Sequence, residues 1–142
     1  MKIYTLGTAG REPYEFTKIL NKYRIDILID VRRYPHSKFP HFNREKMEKL
    51  CKENKVEYLY LGNELGGIRK ESYDDFMETE EFKRGIEIVK KLAKSKVLCL
   101  LCTEKYPARC HRFRISNKLK EEDFEVIHIV DIDRIWKEET TE

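Results

Sequence analysis

The sequence has no apolar run approaching the ~18 residues that a membrane-spanning helix needs. It has no internal repeat, no low-complexity stretch and no linker-like segment, so neither a solenoid nor a string of small domains is expected. Neither sign of charge is in clear excess: 29 Lys+Arg stand against 26 Asp+Glu, a formal net charge of +3, which is weak ground for a nucleic-acid partner. The four cysteines, Cys51, Cys99, Cys102 and Cys110, do not make a disulfide framework in a chain of 142 residues. Cys99-Leu100-Leu101-Cys102 spells C-x-x-C, but the run 97–102 reads as a buried strand, where residues three apart face opposite sides. With no second such pair, a zinc ribbon is excluded. Gly7-Thr8-Ala9-Gly10 follows the first strand where a phosphate loop would lie, yet it matches neither G-x-G-x-x-G nor G-x-x-x-x-G-K-[ST]. A dinucleotide or Walker-type nucleotide site is therefore not expected.

What is present fits one domain. A chain of 142 residues buries roughly 68–70% of its unfolded surface and can build a core without staples. Hydrophobic residues make up 40%, and charged residues 39% against a typical ~25%. The charged excess is mainly Lys and Glu, the pattern of thermophile surfaces. A thermophile could also keep an intracellular Cys102–Cys110 bridge. Met1 runs straight into Lys2-Ile3-Tyr4-Thr5-Leu6, which reads as a strand and not as a signal peptide, so a cytoplasmic protein is expected.

Strands are predicted at 2–6, 25–31, 56–61, 96–102 and 125–130. Between them lie helical patterns. Pro13 suits a first helical position, and Phe16, Ile19, Leu20 and Tyr23 follow at i, i+3, i+4, i+7. Asn43 can cap a helix with Met47, Leu50 and Cys51 inward, and Ser72 with Asp75 and Thr79 can start two more. His111, Ile115 and Leu119 mark a last helix over 109–121, and 131–142 reads as a polar tail with Ile132, Ile135 and Trp136 able to dock. Alternating strands and helices predict a three-layer α/β domain, with a mostly parallel five-stranded sheet covered on both faces.

In such folds ligands bind beyond the carboxyl ends of the strands. The loops at those ends are 7–11, 30–42, 62–70 and 102–112, and almost every chemically suggestive residue falls in them. Asp30 and Arg32 end the second strand, with Ser37 in the loop that follows. Glu64 precedes Gly66-Gly67. Cys102, Glu104, Cys110, His111 and Arg112 follow the fourth strand. The cations of 32–46 and of 105–120 face almost no acids in those windows, which favours an anion, with Arg32 and Arg112 to hold it.

Cys102-x-Glu104 with Cys110-His111-Arg112 is the densest constellation and admits three readings. Cys and His could ligate zinc, although neighbours in sequence diverge by about 100° on a helix. Cys110, near a helix start and among arginines, could be a nucleophile of lowered pKa. Or the cysteines line a core while Glu104, His111 and Arg112 do the polar work, His111 itself being open to a purely structural reading. Glu104 and Glu64 are candidate acid/base groups; arginines nearby would lower a carboxyl and burial would raise it, and plain ion pairing with Arg32 or Arg112 is the alternative reading. Mid-strand His128 reads as a satisfied core histidine.

Taken together, Asp30-Val31-Arg32 with Pro35 and Ser37, then Glu64-Leu65-Gly66-Gly67, then Cys102-x-Glu104 with Cys110-His111-Arg112, and His128-Ile129 in the last strand resemble the "domain of unknown function 488" family of small prokaryotic α/β proteins. The resemblance runs nearly the whole chain. It implies the same fold and the same cleft residues, and it supplies no reaction. The expectation is an enzyme, a hydrolase or transferase of a phosphorylated or nucleotide-like substrate. Glu104 or Glu64 would be acid/base, His111 assisting and Cys110 in reserve; Asp30, Arg32, Ser37, Gly66, Gly67, Cys102 and Arg112 would line the substrate site. No cofactor is expected; the alternative is a thiol-redox or metal-binding protein, with zinc as the metal. Other partners to weigh are nucleic acid, bound by a non-catalytic module with Tyr34, Phe39 and Phe42, and a second copy of the chain; no membrane is expected.

Overall fold

The computed structural model describes residues 1–35, 42–67, 69–104 and 111–137. Among them the chain runs β1 (Lys2–Gly7), α1 (Pro13–Lys22), β2 (Ile27–Asp30), α2 (Arg44–Glu53), β3 (Glu57–Tyr60), α3 (Gly62–Leu65), α4 (Tyr73–Phe76), α5 (Glu80–Ala93), β4 (Leu98–Cys102), α6 (Arg112–Glu121), β5 (Glu125–Asp131) and β6 (Arg134–Lys137). The strands form a six-stranded sheet in the order β3-β2-β4-β1-β5-β6, parallel except for β6.

The period-two alternation of the strands divides the core between the two faces. Leu98, Leu100 and Cys102 of β4 pack with Phe82, Ile86 and Val89 of α5 and Ile115 and Leu119 of α6. Cys99 and Leu101 pack instead with Phe16, Ile19 and Leu20 of α1 and Met47 and Cys51 of α2. Cys99 and Cys102 thus lie on opposite faces, as the strand reading requires. Both faces of the sheet are covered by helices, so β2 and β4 are buried throughout, and apolar but for Asp30 at the end of β2.

The helix starts follow their capping residues. Asn43 accepts from the Lys46 amide, Ser72 from the Asp75 amide and Thr79 from the Phe82 amide, each satisfying a donor that the first turn leaves open. The stops share one device. Helices α1, α2 and α6 end in Arg24, Lys55 and Asp123, at φ +52°, +59° and +69°. The following amides of Ile25, Val56 and Phe124 donate back to the carbonyls of Leu20, Cys51 and Leu119. Each is the Schellman geometry that glycine usually serves. In each case the residue after the left-handed position is a buried apolar one, which starts the chain back into the sheet.

The sequence pattern predicts five strands and a polar tail, and here the structure differs. Residues 134–137 fold back as an antiparallel edge strand on β5. The Trp136 ring stacks on His128 at 5.3 Å and on Phe113 at 6.3 Å, so three rings pin a strand whose own pattern is too short and too charged to announce itself. The loop predicted over 62–70 likewise contains the turn of helix α3. The last helix is described from Arg112, residues 109 and 110 lying outside the described residues.

Candidate functional site

At the carboxyl end of β2, Asp30 is fully buried and accepts three hydrogen bonds from Arg32, from its amide at 3.0 Å, its Nε at 2.8 Å and its Nη2 at 2.8 Å. The Tyr58 hydroxyl donates at 2.5 Å to Asp30 Oδ2, which also accepts from Arg32 Nη2, and burial together with the Asp30 charge pushes that phenol up. Arg32 Nη1 donates to the Phe42 carbonyl at 2.7 Å. The pair therefore fastens the chain after β2 to the start of α2. It is a buried, bidentate, fully oriented ion pair, the arrangement that buried charges require.

Gly62 and Gly66 bring a second loop against this one. A Cβ on Gly66 would lie 2.3 Å from the Gly62 carbonyl oxygen and 2.7 Å from both the amide nitrogen and Cβ of Arg33. Only a glycine permits that approach, and it places Arg33 beside α3. Arg69 closes the carbonyl end of α3, donating from Nε to the Gly66 carbonyl at 3.0 Å and from Nη2 to the carbonyls of Gly62, at 3.3 Å, and of Asn63. Its guanidinium lies 3.7 Å above the Phe76 ring. Burial and the like charge of Arg33 both lower its pKa.

The fourth-strand constellation completes the surround. His111 stands at the start of α6, and its Nε2–H donates to the Val31 carbonyl at 2.9 Å. That bond leaves the acceptor lone pair on Nδ1, which faces Gly67; a Cβ there would sit 3.4 Å away. Burial outweighs the Val31 bond and lowers the His111 pKa, so the imidazole is neutral at pH 7. Cys102 is disulfide-bonded, whereas Cys51 and Cys99 are free thiols that burial pushes up to about 12, out of range for a nucleophilic thiolate.

These groups enclose a cavity of about 500 Å³, within the size range of small-molecule sites. Its walls carry Arg32, Arg33 and Arg69 against Glu71 and Glu104, with Cys102, Thr103, Gly67, His111 and the rings of Tyr34 and Tyr73 between them. The structure thus brings together Arg32, Gly67, Cys102, Glu104 and His111 of the residues predicted from sequence. It separates others. Asp30 is spent on Arg32 and Tyr58. Gly66 shapes the wall from behind. Glu64 is not among the lining residues: it packs against α5, where a Cβ on Gly85 would meet its own Cβ at 2.8 Å. Arg112 is wholly buried, and burial pulls its pKa down to about 10. It therefore has no exposed surface on the cavity wall, and it is not among the lining residues. Ser37 and Cys110 lie outside the described residues.

Arg33 was legible as a cation next to Arg32, but Arg69, Glu71 and Tyr73 carry no local signal beyond lying in or near the third strand-end loop. Among the described residues no three His, Cys, Asp or Glu side chains converge on a metal-sized site. No helix of the described residues is long and apolar enough to cross a membrane. His128 is buried, shares a 2.5 Å hydrogen bond with Thr5 through Nδ1, and is pushed down to about 3 by burial and by the charges of Arg112 and Lys120. It is a core histidine, as its mid-strand position suggests.

Residues 12–119 match the family model described as "Domain of unknown function DUF488". No curated protein and no solved structure matches the chain.

Proposed function

We propose that this chain, which belongs to the DUF488 family, is an enzyme, a hydrolase or transferase that acts on a phosphorylated small molecule bound at the carboxyl edge of its sheet. The observation that carries the reading is the pairing of Arg33 with Arg69 on the wall of a cavity that also presents Glu104 and His111. The charge of Arg33 reaches Arg69 and, after burial, is the next cause of its lowered pKa; an anion between the two guanidiniums offsets that repulsion. Arginine suits the role because its planar fork matches phosphate oxygens. Glu104, exposed on the cavity wall, is the acid/base candidate, able to take a proton from an attacking hydroxyl or water. His111, neutral and held by Val31, is the positioning group beside it. The Lys- and Glu-rich composition fits a cytoplasmic protein of a thermophilic prokaryote.

The test is a turnover screen of nucleotides and phosphorylated metabolites on wild type and Glu104→Gln, with binding followed in parallel. The expected result is a substrate that Glu104→Gln still binds but turns over about 100-fold or more slowly, the usual scale for loss of a general acid or base. Full activity in Glu104→Gln removes Glu104 from the mechanism, and no turnover of any phosphorylated compound removes the proposed reaction class.

A further inference from the structure

We infer that the site is bipartite and takes a nucleotide: a second cavity beside the first receives the nucleoside, while the phosphate lies between Arg33 and Arg69. This rests on the reading of the first cavity as a phosphate site and extends it to the substrate's other half.

The second cavity, of about 750 Å³, opens between α4 and α6. Tyr73 and His111 line both cavities, so the two share a wall and are not separate hollows on the surface. That wall is fixed. The Tyr73 hydroxyl donates to the Leu65 carbonyl at 2.6 Å, and its ring packs on Phe82 at 6.0 Å and on His111 at 5.8 Å. Tyr73 therefore offers a ring, and not its hydroxyl, to whatever lies alongside.

The two cavities differ in their lining. The first presents Arg33 and Arg69, with Glu71 and Glu104 also on its wall and Arg32 already paired with Asp30. In the second, Arg114 and Lys118 are matched by Asp74 and Glu121, and Arg114 is engaged with Asp74 in an ion pair that joins α6 to α4. What remains in the second cavity is apolar and neutral: Met77, the Phe113 and Tyr73 rings, and the hydroxyl and amide of Ser72 and Asn117. A chamber with Arg33 and Arg69 on its wall beside one lined by aromatic faces and neutral polar groups suits a ligand with an anionic end and a neutral, flat, hydrogen-bonding end. A nucleoside 5′-phosphate has that chemistry: rings stack on its base, an amide such as Asn117 pairs with its edge, and arginines hold its phosphate. A sugar phosphate shares the anion and lacks the flat face.

Isothermal titration of inorganic pyrophosphate, ribose 5-phosphate and the four common nucleoside 5′-monophosphates tests this on wild type, Arg33→Ala, Asn117→Trp and Asn117→Ala. Asn117 is exposed on α6, so the bulky change fills the second cavity without entering the core. The expected result is at least one nucleotide binding about tenfold or more tightly than ribose 5-phosphate. Asn117→Trp abolishes that advantage and leaves pyrophosphate unchanged, Asn117→Ala weakens the nucleotide alone, and Arg33→Ala weakens every phosphate ligand. If pyrophosphate binds and responds to Arg33→Ala while nucleotides show no advantage, or an advantage that both Asn117 variants preserve, the bipartite site is wrong and the phosphate site stands. If no phosphate ligand binds wild type, the reading of the first cavity falls and this inference with it.

Discussion

Arg32, Arg112, Arg33 and Arg69, at the carboxyl edge of the sheet, divide into an inner and an outer pair. Arg32 and Arg112 are buried, at 5% and 0% exposure. Arg33 and Arg69 are half-buried and line the cavity. Arg32 gives three of its five side-chain N–H groups to Asp30 and the Phe42 carbonyl, and Arg112 is wholly buried, its pKa pulled down to about 10 by burial. In sequence the inner pair is the more conspicuous, because each lies beside a strand-end acid or histidine. Arg32 shows why an arginine near a suggestive neighbour is as readily framework as ligand: Asp30, which makes it conspicuous, is also the partner that occupies it. Arg33 follows Arg32 in the chain, and Arg69 caps the carbonyl end of α3.

Breaking the inner pair has the largest expected effect. Asp30→Ala leaves Arg32 buried without its carboxylate and should cost about 3–5 kcal/mol in urea unfolding, a large share of a domain's stability. A loss below ~1 kcal/mol would mean that Arg32 turns outward at little cost and belongs with the outer pair.

Acid separates the two regions in another way. His128 is held neutral in the core with a pKa of about 3 against 6.5 when unfolded. Its folded pKa is depressed, so the unfolded chain takes up the proton first and stability falls as pH drops below 6.5. At pH 4 the expected loss is about 3 kcal/mol relative to pH 7, with His111 adding in the same direction. Denaturant titrations at both pH values on wild type and His128→Gln check this: the variant should show a shallower acid limb, while Arg33→Ala should keep the wild-type limb.

Smaller still is the seam between the regions. Gly66→Ala forces a Cβ to within 2.3 Å of the Gly62 carbonyl and should cost about 1–3 kcal/mol. It should also displace Arg33 and weaken anion binding by more than its cost to folding, which titration alongside a thermal melt would show. At the far end of the scale, Lys55→Gly relieves the left-handed strain after α2 and should add about 0.5–1 kcal/mol with no change in binding.

The parallel core was legible because its signals are local. The run 97–102 announces a central strand, and Asn43, Ser72 and Thr79 cap where their side chains predict. Strand β6 was not, because Arg134-Ile135-Trp136-Lys137 has two charges in four residues and is held by Trp136 against His128 and Phe113, partners distant in sequence. The site divides in the same manner. Glu104 and His111 are where strand-end loops should put them. Glu64 turns away because α3 is a helical turn and not the loop that its Gly66-Gly67 sequel suggests. Arg69 and Tyr73 enter the site because of how α3 and α5 pack, which no spacing in the chain encodes.

The most direct test of the central claim, that the outer arginines and not the inner ones hold the ligand's phosphate, is a thermal-shift titration with pyrophosphate on wild type and Arg33→Ala. A ligand at about 100 times its dissociation constant adds ~2.7 kcal/mol, and at about 2–4 °C per kcal/mol that is a rise of several degrees. The account predicts this rise in wild type and its loss in Arg33→Ala, whose midpoint without ligand stays near that of wild type. An undiminished rise in Arg33→Ala, or none in wild type, would contradict it.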